Sequence, residues 1–127
     1  MDIRIYYHDT DSGGVVYYGR YLNFLEESRT EYIENRGVSV QESDKNGFLY
    51  AVRQCNVSYK SPARYGDIIT CEAHIDKITA AQVFFKQTIH HKETKQVIVK
   101  ADVILVSLTR DFKPIAIPSE IRQKLRV

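Results

Sequence analysis

Residues 8–21, with the sequence HDTDSGGVVYYGRY, bring two aspartates, two adjacent glycines and three tyrosines together in one short segment. Asp9 and Asp11 precede two adjacent glycines, which allow a backbone to approach a ligand closely. A helical pattern follows, and the first turn of a helix offers unpaired N–H groups that can hold an oxyanion. A nearby carboxylate can then act as a nucleophile or a general base. The segment predicts an active-site loop, and acids that only solvate or cap a turn are the alternative.

Two other interpretations of the Asp9-Thr10-Asp11 pattern fail on spacing. A calcium loop of the EF-hand type would need an acid or amide where Gly13 stands and a glutamate where Arg20 stands. A phosphotransfer loop would follow a parallel strand of a larger sheet than this chain can form. The chemistry expected of the loop is therefore carboxylate chemistry without a metal.

The histidines do not form a second centre. His90 and His91 would point to opposite faces of a strand, and His74 lies on a polar strand face. His8 is near enough in sequence to assist Asp11, although this is the weaker interpretation. No set of His, Cys and acidic residues has the spacing of a metal site, so no metal and no cofactor are expected.

Size and composition predict a single domain over residues 1–127, with 43% hydrophobic and 27% charged residues. A net charge of +2 without a basic run argues against nucleic-acid binding. No apolar run is long enough for stable membrane insertion and no signal peptide is apparent, so a cytoplasmic location is expected. Cys55 and Cys71 lack a metal or disulfide spacing and are predicted to be ordinary buried thiols.

The elements that must position the loop follow from two periodicities. Apolar residues recur every three or four positions from Tyr18 to Tyr32, which predicts one long helix closed by Gly37. A short strand is expected before the loop, a helical turn within residues 39–47, and a final helix from Pro118. Alternation of apolar and polar residues predicts four further strands, which include the positions Leu49–Tyr59, Ile69–Asp76, Val83–Ile89 and Val97–Leu105.

Short joins between these strands favour an antiparallel sheet, because parallel crossovers need a dozen or more residues. The chain is therefore expected to be an α+β domain with one helix against the sheet. The end of the last strand is apolar on both faces, since Ile104 and Val106 alternate with Val103 and Leu105. This pattern predicts burial on both sides, with another subunit covering the second face.

Residues 4–21 closely resemble the signature of the 4-hydroxybenzoyl-CoA thioesterase family. The matching residues are Arg4-Ile5, Thr10-Asp11, Gly14-Val15-Val16 and Gly19-Arg20-Tyr21. The long helix, the segment 59–64 and the segment 114–118 are similar to the branch of acyl-CoA thioesterases associated with the Tol–Pal system. The resemblance covers the whole chain.

The resemblance implies a hot-dog fold, in which a five-stranded antiparallel sheet wraps around one long helix. It also implies hydrolysis of an acyl-CoA thioester by a homo-oligomer, either a dimer or a tetramer, with sites at subunit interfaces. Asp11 is the implied catalytic acid, as nucleophile or general base, whereas Asp9 is implied to be structural. Tyr18 stands where the Tol–Pal branch typically has a histidine, and its backbone N–H belongs to the implied oxyanion hole.

This interpretation assigns catalysis to Asp11 and Tyr18, and substrate binding to Gly14, Val16 and Gly19. Four bases lie at predicted strand ends where the phosphates of CoA could meet them, but solvation at the surface is the favoured explanation for each, and none is assigned to binding: Lys60, Arg64, Arg110 and Lys113. Two alternatives stay open. One is an acyl-thioester dehydratase of the same fold, and the other is a module that binds acyl thioesters or acyl carriers without turnover.

Overall fold

The computed structural model describes residues 1–126 and shows a five-stranded antiparallel sheet with one long helix packed against it. The strands are β1 (Asp2–Arg4), β2 (Phe48–Tyr59), β3 (Ile68–Ile78), β4 (Gln82–His91) and β5 (Val97–Thr109). The helices are α1 (Arg20–Asn35), α2 (Val40–Lys45) and α3 (Ser119–Lys124). The α+β class expected from the sequence is confirmed. None of the described helices has the length and apolar character needed to span a membrane.

The strands lie in the order β1-β3-β4-β5-β2, and every neighbouring pair is antiparallel. The tight joins between β3 and β4 and between β4 and β5 therefore form hairpins, as their lengths predict. Strand β2 reaches the far edge of the sheet only after α1 and α2, and it pairs with β5. Its other edge has no strand partner within residues 1–126.

Helix α1 buries one stripe against the sheet. Tyr21, Phe24, Leu25 and Ile33 recur at helical spacing and are each at most 4% exposed. Gly37 follows the helix with φ +85°, a left-handed conformation that suits glycine, and its N–H donates to the Glu34 carbonyl. The predicted end of the helix is confirmed, whereas its start lies two residues later than Tyr18.

A buried polar link joins α1 to the sheet. Gln87 on β4 donates its amide N–H to the Leu25 carbonyl at 2.9 Å and accepts from Arg29 Nη1 at 3.0 Å. Burial lowers the pKa of Arg29 from its ordinary value, and within residues 1–126 this guanidinium forms no salt bridge. The hydrogen bonds to and from Gln87 therefore fix the height and rotation of the helix over β4.

A bulge in β2 corrects the predicted face of that strand. The register with β5 shifts between Val52 and Gln54, so Arg53 is an extra residue. Cys55, Val57 and Tyr59 share the helix side of the sheet as expected, but Tyr50 replaces Leu49 and Ala51 on that side before the bulge. The alternation over residues 49–59 predicts that the odd-numbered positions share one face, and this prediction was wrong because one inserted residue inverts the alternation.

The two thiols differ more than the sequence indicates. Cys71 on β3 is buried, and burial raises the pKa of its thiol to about 12. Cys55 is exposed, because β2 extends past the helix at the edge of the sheet. The prediction of a buried thiol is therefore confirmed for Cys71 and wrong for Cys55 in the single chain.

The first strand is also shorter than predicted. Strand β1 ends at Arg4, and residues Tyr7–Asp9 form a turn of 3₁₀ helix. The Asp9 carboxylate accepts a hydrogen bond from the Tyr6 N–H at 2.9 Å, which stabilises this turn against a longer strand. The turn places Tyr7 on the surface instead of in the sheet.

The shorter helices lie where the sequence expects them. The Ser39 hydroxyl accepts from the Glu42 N–H and caps α2, and α3 follows directly after Pro118. At the end of β5, Ile104 and Val106 are half-buried on the outer face of the sheet, whereas Val103 and Leu105 are buried beneath the helix. Cover of that outer face by a second subunit stays a prediction.

Candidate active site

The predicted loop is a small hairpin between the 3₁₀ turn and α1. The Asp11 N–H donates to the Val15 carbonyl at 2.9 Å, and Thr10 and Val16 form an antiparallel bridge. Gly14 closes the tip with φ +80°, and its N–H donates to the Asp11 carbonyl at 3.0 Å. Because this φ is strained for other residues, the glycine is needed for the shape of the hairpin.

Asp11 lies at the tip of the hairpin and is exposed to solvent. Its Oδ1 accepts a hydrogen bond from the Gly13 N–H at 2.8 Å, which fixes the rotation of the carboxylate. A Cβ atom on Gly13 would lie only 3.2 Å from this Oδ1, so a glycine gives the carboxylate room. The second oxygen, Oδ2, has no protein partner within residues 1–126. One oxygen of Asp11 is therefore held and the other is open to a ligand or water.

Asp9 has the opposite environment, although it is only two residues away. It is 2% exposed, and its carboxylate accepts from the Tyr6 N–H through Oδ2 and from Arg20 Nε through Oδ1 at 2.8 Å. Burial by itself raises the pKa of Asp9, but the hydrogen bonds from Tyr6 and Arg20 outweigh it and leave the pKa below the ordinary value of 3.8. This buried, paired carboxylate is part of the framework.

A tight turn connects the hairpin to α1. The Arg20 N–H donates to the Tyr17 carbonyl at 2.8 Å, and Gly19 has φ −67° and ψ −23°. Tyr18 and Gly19 thus occupy the two central positions of a β-turn just before the helix. Within residues 1–126, the N–H groups of Tyr18 and Gly19 donate to no protein acceptor. These two donors extend the unpaired N–H groups of the helix start, as an oxyanion site requires.

The lack of a side chain at Gly19 also determines where the Tyr17 ring lies. A Cβ atom at this position would lie 2.7 Å from Cε1 of the Tyr17 ring, which is closer than real Cβ contacts come. The Tyr17 ring therefore covers the turn only because residue 19 lacks a side chain. A larger residue would displace the ring from the backbone donors.

Val16 holds the hairpin to the body of the protein. Its side chain is 4% exposed in the core, and its N–H donates to the Ala63 carbonyl at 2.8 Å. Val15 forms a bridge with Arg64 on the same segment. These contacts give Val16 a packing role in the single chain, and a direct contact with substrate stays a prediction.

The aromatic residues around the turn separate into two groups. Tyr21 is buried, and its hydroxyl accepts from the Ala63 N–H at 3.1 Å, so it belongs to the core. Tyr17 and Tyr18 are 50% and 64% exposed, with ring centroids 4.8 Å apart. Tyr59, at the end of β2, is 47% exposed and donates its hydroxyl to the Tyr18 carbonyl at 3.4 Å.

Sequence reasoning placed Tyr59 on a strand and in the family-like segment but gave it no part in the site. It lies 41 positions from Tyr18, and no local spacing signals a contact at that separation. The site thus has an aromatic wall of Tyr17, Tyr18 and Tyr59, of which only Tyr18 was predicted.

His8 does not join Asp11. Its Nε2 lies 3.4 Å from Oδ1 of Asp9, and its ring stacks near Tyr6 at a centroid distance of 5.9 Å. No histidine contacts Asp11 within the described part of the chain. The same residues contain no cluster of three or more His, Cys, Asp or Glu side chains that can hold a metal ion.

A model of the thioesterase superfamily matches residues 13–98, which are more than half of the chain. The chain belongs to the thioesterase superfamily. The match begins within the hairpin and includes α1 and the strands β2 to β4. Tyr18 and Gly19 therefore lie near the start of the matched segment, and Asp11 lies two residues before it.

Relatives of known name cover nearly the full length of this thioesterase. The acyl-CoA thioesterase YbgC of Haemophilus influenzae is 31% identical over 121 residues, which are 94% of this chain and 88% of the relative. The acyl-CoA thioester hydrolase YbgC of Escherichia coli O6:H1 is 33% identical over 120 residues, with 94% and 89% covered.

A solved structure of a 4-hydroxybenzoyl-CoA thioesterase variant, in complex with 4-hydroxybenzoyl-CoA, has the same fold. It matches with a TM-score of 0.90 at 22% identity, over 98% of this chain and 96% of the other. The predicted hot-dog fold is confirmed.

We expect the Asp9–Arg20 pair to make the stability of the fold depend on pH. Because the pKa of Asp9 in the folded chain lies below 3.8, its ionised form stabilises the fold above that pH. This stabilisation is lost as the pH falls through the folded pKa. Asp9→Asn should lower the free energy of unfolding by about 1–3 kcal/mol at neutral pH, and the difference from wild type should shrink below about pH 4.

Urea unfolding of both proteins between neutral pH and pH 3 measures this difference. Asp76→Asn, which changes an exposed aspartate on β3, is the matched control and should have little effect. A constant difference across the whole range would contradict the role of the Asp9 charge.

Proposed function

We propose that this chain hydrolyses acyl-CoA thioesters to a free acid and CoA at the Asp11 hairpin and the Tyr18–Gly19 turn. One observation carries the proposal: a carboxylate with an open oxygen belongs to the hairpin that leads directly into two unpaired N–H donors. Membership of the thioesterase superfamily and the acyl-CoA thioesterase names of two relatives support the substrate class.

The turn polarises the thioester carbonyl. As a nucleophile adds, the carbonyl oxygen becomes an oxyanion and accepts hydrogen bonds from the Tyr18 and Gly19 N–H groups. Donors fixed in place before the reaction lose no energy to reorganisation, and removing one such donor typically costs about 3–4 kcal/mol. The CoA thiolate leaves readily, so the reaction does not depend on a histidine acid.

Asp11 supplies the nucleophile in one of two ways. Its open oxygen adds to the carbonyl, expels the CoA thiolate and forms a mixed anhydride that water then cleaves. Alternatively, the carboxylate takes a proton from a water molecule that attacks the carbonyl directly. Single turnover in heavy-oxygen water identifies the anhydride route when water attacks the Asp11 carbonyl carbon, because the label then enters Asp11 and the product acid receives an unlabelled oxygen of Asp11.

The remaining assigned residues shape the site around this chemistry. Gly14 and Gly19 allow the backbone to approach the thioester, and Val16 anchors the hairpin next to it. We assign the Tyr18 side chain, together with Tyr17 and Tyr59, to the wall that meets the acyl group. Their 47–64% exposure makes these rings accessible to a ligand.

The dehydratase alternative gains no support from the site. That chemistry uses a histidine together with a carboxylate, and the nearest histidine in sequence, His8, is paired with Asp9. The site also gives no support to a binding module without catalysis, because the open Asp11 oxygen and the free N–H groups form a reactive arrangement. Release of free thiol from an acyl-CoA separates hydrolysis from both alternatives.

Asp11→Asn should lower kcat for acyl-CoA hydrolysis at least about 100-fold. The amide oxygen of asparagine can still accept the Gly13 N–H, so the hairpin and the melting temperature should be retained. Thiol release measures the rate, and Asp76→Asn is the matched control because it removes an exposed carboxylate far from the hairpin. Turnover near the wild-type rate would refute the assignment of Asp11.

Two substitutions at residue 18 separate the backbone from the side chain. Tyr18 is the second residue of the turn, where proline is favoured, and its N–H has no protein acceptor among the described residues. Tyr18→Pro should therefore preserve the turn but remove one oxyanion donor and lower kcat about 100-fold or more. Tyr18→Ala keeps the N–H but, like Tyr18→Pro, lacks the ring, and it should retain most of kcat.

The comparison of kcat for the two variants, with circular dichroism as a check of folding, tests the oxyanion site. If Tyr18→Ala lost as much activity as a folded Tyr18→Pro, the side chain and not the backbone N–H would be the important group.

We also propose that the chain forms a homo-oligomer, most simply a tetramer built from dimers. Strand β2 is 12 residues long, and its outer edge has no strand partner in the described chain. Val52 on this strand and Leu22 on α1 are 51% and 46% exposed. An exposed apolar strand edge of this length is typical of a surface that binds a second copy of the chain.

Light scattering should give the mass of four chains, and Val52→Glu should shift it toward the monomer. The matched control is Gln123→Glu, which adds the same charge to an exposed position on α3. A monomeric wild-type protein would contradict this proposal. A relationship to the Tol–Pal branch and a cytoplasmic location stay predictions from the sequence.

A further inference from the structure

Two exposed tyrosines stack on each other beside the Asp11 hairpin. The ring centroids of Tyr7 and Tyr65 are 4.1 Å apart, and the ring planes differ by 14°. Tyr7 is 74% exposed and Tyr65 is 47% exposed. Single exposed apolar side chains are ordinary, but a contiguous exposed aromatic surface marks a place where something binds.

The stack and the hairpin rest on the same backbone segment, residues 63–67. On one side, the Ile5 N–H donates to the Asp67 carbonyl and the Gly66 N–H donates to the Ile5 carbonyl, both at 2.9 Å. On the other side, the Val16 N–H donates to Ala63 and Val15 bridges Arg64. Tyr7 and Tyr65 are therefore held in a fixed position relative to the hairpin.

Positive charge accompanies the stack. Arg64 is exposed, and within residues 1–126 its guanidinium forms no salt bridge; only its backbone N–H is engaged, with Asp67 Oδ2 at 2.9 Å. Lys60 is likewise exposed and outside every salt bridge found in the described chain. The nearby acid, Asp67, is half-buried and lies 3.6 Å from His91 Nε2. Arg64 directly precedes Tyr65 in the chain and Lys60 lies five residues before it, so two cations lie in or just before the segment that carries the stack.

We propose that the Tyr7–Tyr65 stack binds the adenine ring of CoA, with Arg64 and Lys60 facing its phosphates. This inference rests on the proposed function, since it names the position of the nucleotide end of the same substrate. Aromatic side chains stack on any base, and a guanidinium matches phosphate oxygens in shape and charge. The stack then anchors the substrate at the end remote from the thioester.

The test compares an acyl-CoA with the same acyl group on pantetheine, which lacks the nucleotide. In wild type, kcat/KM should be higher for the CoA thioester, and the gain should appear in KM. Tyr7→Ala should reduce this preference about tenfold, the typical effect of removing one ring from a base stack. Tyr7→Phe keeps the ring and should keep the preference.

Tyr6→Ala is the matched control, because Tyr6 is an exposed neighbouring tyrosine outside the stack. It should leave the preference for CoA unchanged. An equal loss on both thioesters in Tyr7→Ala would overturn the inference, since the ring would then only support the hairpin. An unchanged preference in Tyr7→Ala would overturn it as well.

Calorimetry with free CoA and free pantetheine keeps this test independent of turnover. Wild type should bind CoA more tightly than pantetheine, and Tyr7→Ala should lose the difference. If the wild-type protein binds CoA in this way but hydrolyses no thioester, the proposed function fails and the nucleotide site stands. If light scattering shows that Tyr7→Ala dissociates the oligomer, the stack is a subunit contact and the inference is wrong.

Discussion

The buried carboxylate of Asp9 is the constraint on which the site depends. Its two oxygens accept from the Tyr6 N–H and from Arg20 Nε, and its backbone carbonyl accepts from the Tyr17 N–H at 3.0 Å. One residue thus ties together the 3₁₀ turn, the end of the hairpin and the first residue of α1. A buried charge without these partners would cost several kcal/mol, so the three segments are stable only in this arrangement. The positions of Asp11 and Tyr18 follow from it.

Two aspartates separated by one residue therefore have opposite environments. Asp9 faces the core and is fully paired, whereas Asp11 points out from the tip and retains an open oxygen. A carboxylate whose two oxygens both accept internal hydrogen bonds is a poor nucleophile. An exposed carboxylate without any fixed contact is poorly oriented. The single bond from Gly13 to Asp11 lies between these extremes, since it orients the group and leaves it reactive.

Local patterns in the sequence predict most of the fold. The helical spacing from Tyr21 to Ile33 and the alternation along β3 each follow from one element and its buried face. Three features were not predictable in this way. The bulge at Arg53 depends on strand register, and the 3₁₀ turn at Tyr7 depends on a side chain that bonds to the backbone. The exposure of Cys55 depends on how far the helix covers the sheet. For the candidate site, the signature predicts Asp11 and Tyr18, whereas the contacts of Tyr59 with Tyr18 and of Tyr65 with Tyr7 join distant segments. Spacing carries no information about such contacts.

The single chain encloses its site on one side only. The hairpin, the turn and the aromatic wall form a rigid floor, and the edge strand β2 beside them ends in open, partly apolar surface. Hydrogen-bond donors that are fixed in place need such a floor, whereas shielding the acyl group from bulk solvent needs a cover. If a second copy supplies that cover, the catalytic groups can stay fixed while the acyl pocket varies with residues of the facing surface. Substrate preference and assembly are then coupled through the same strand, and a change at β2 should affect both.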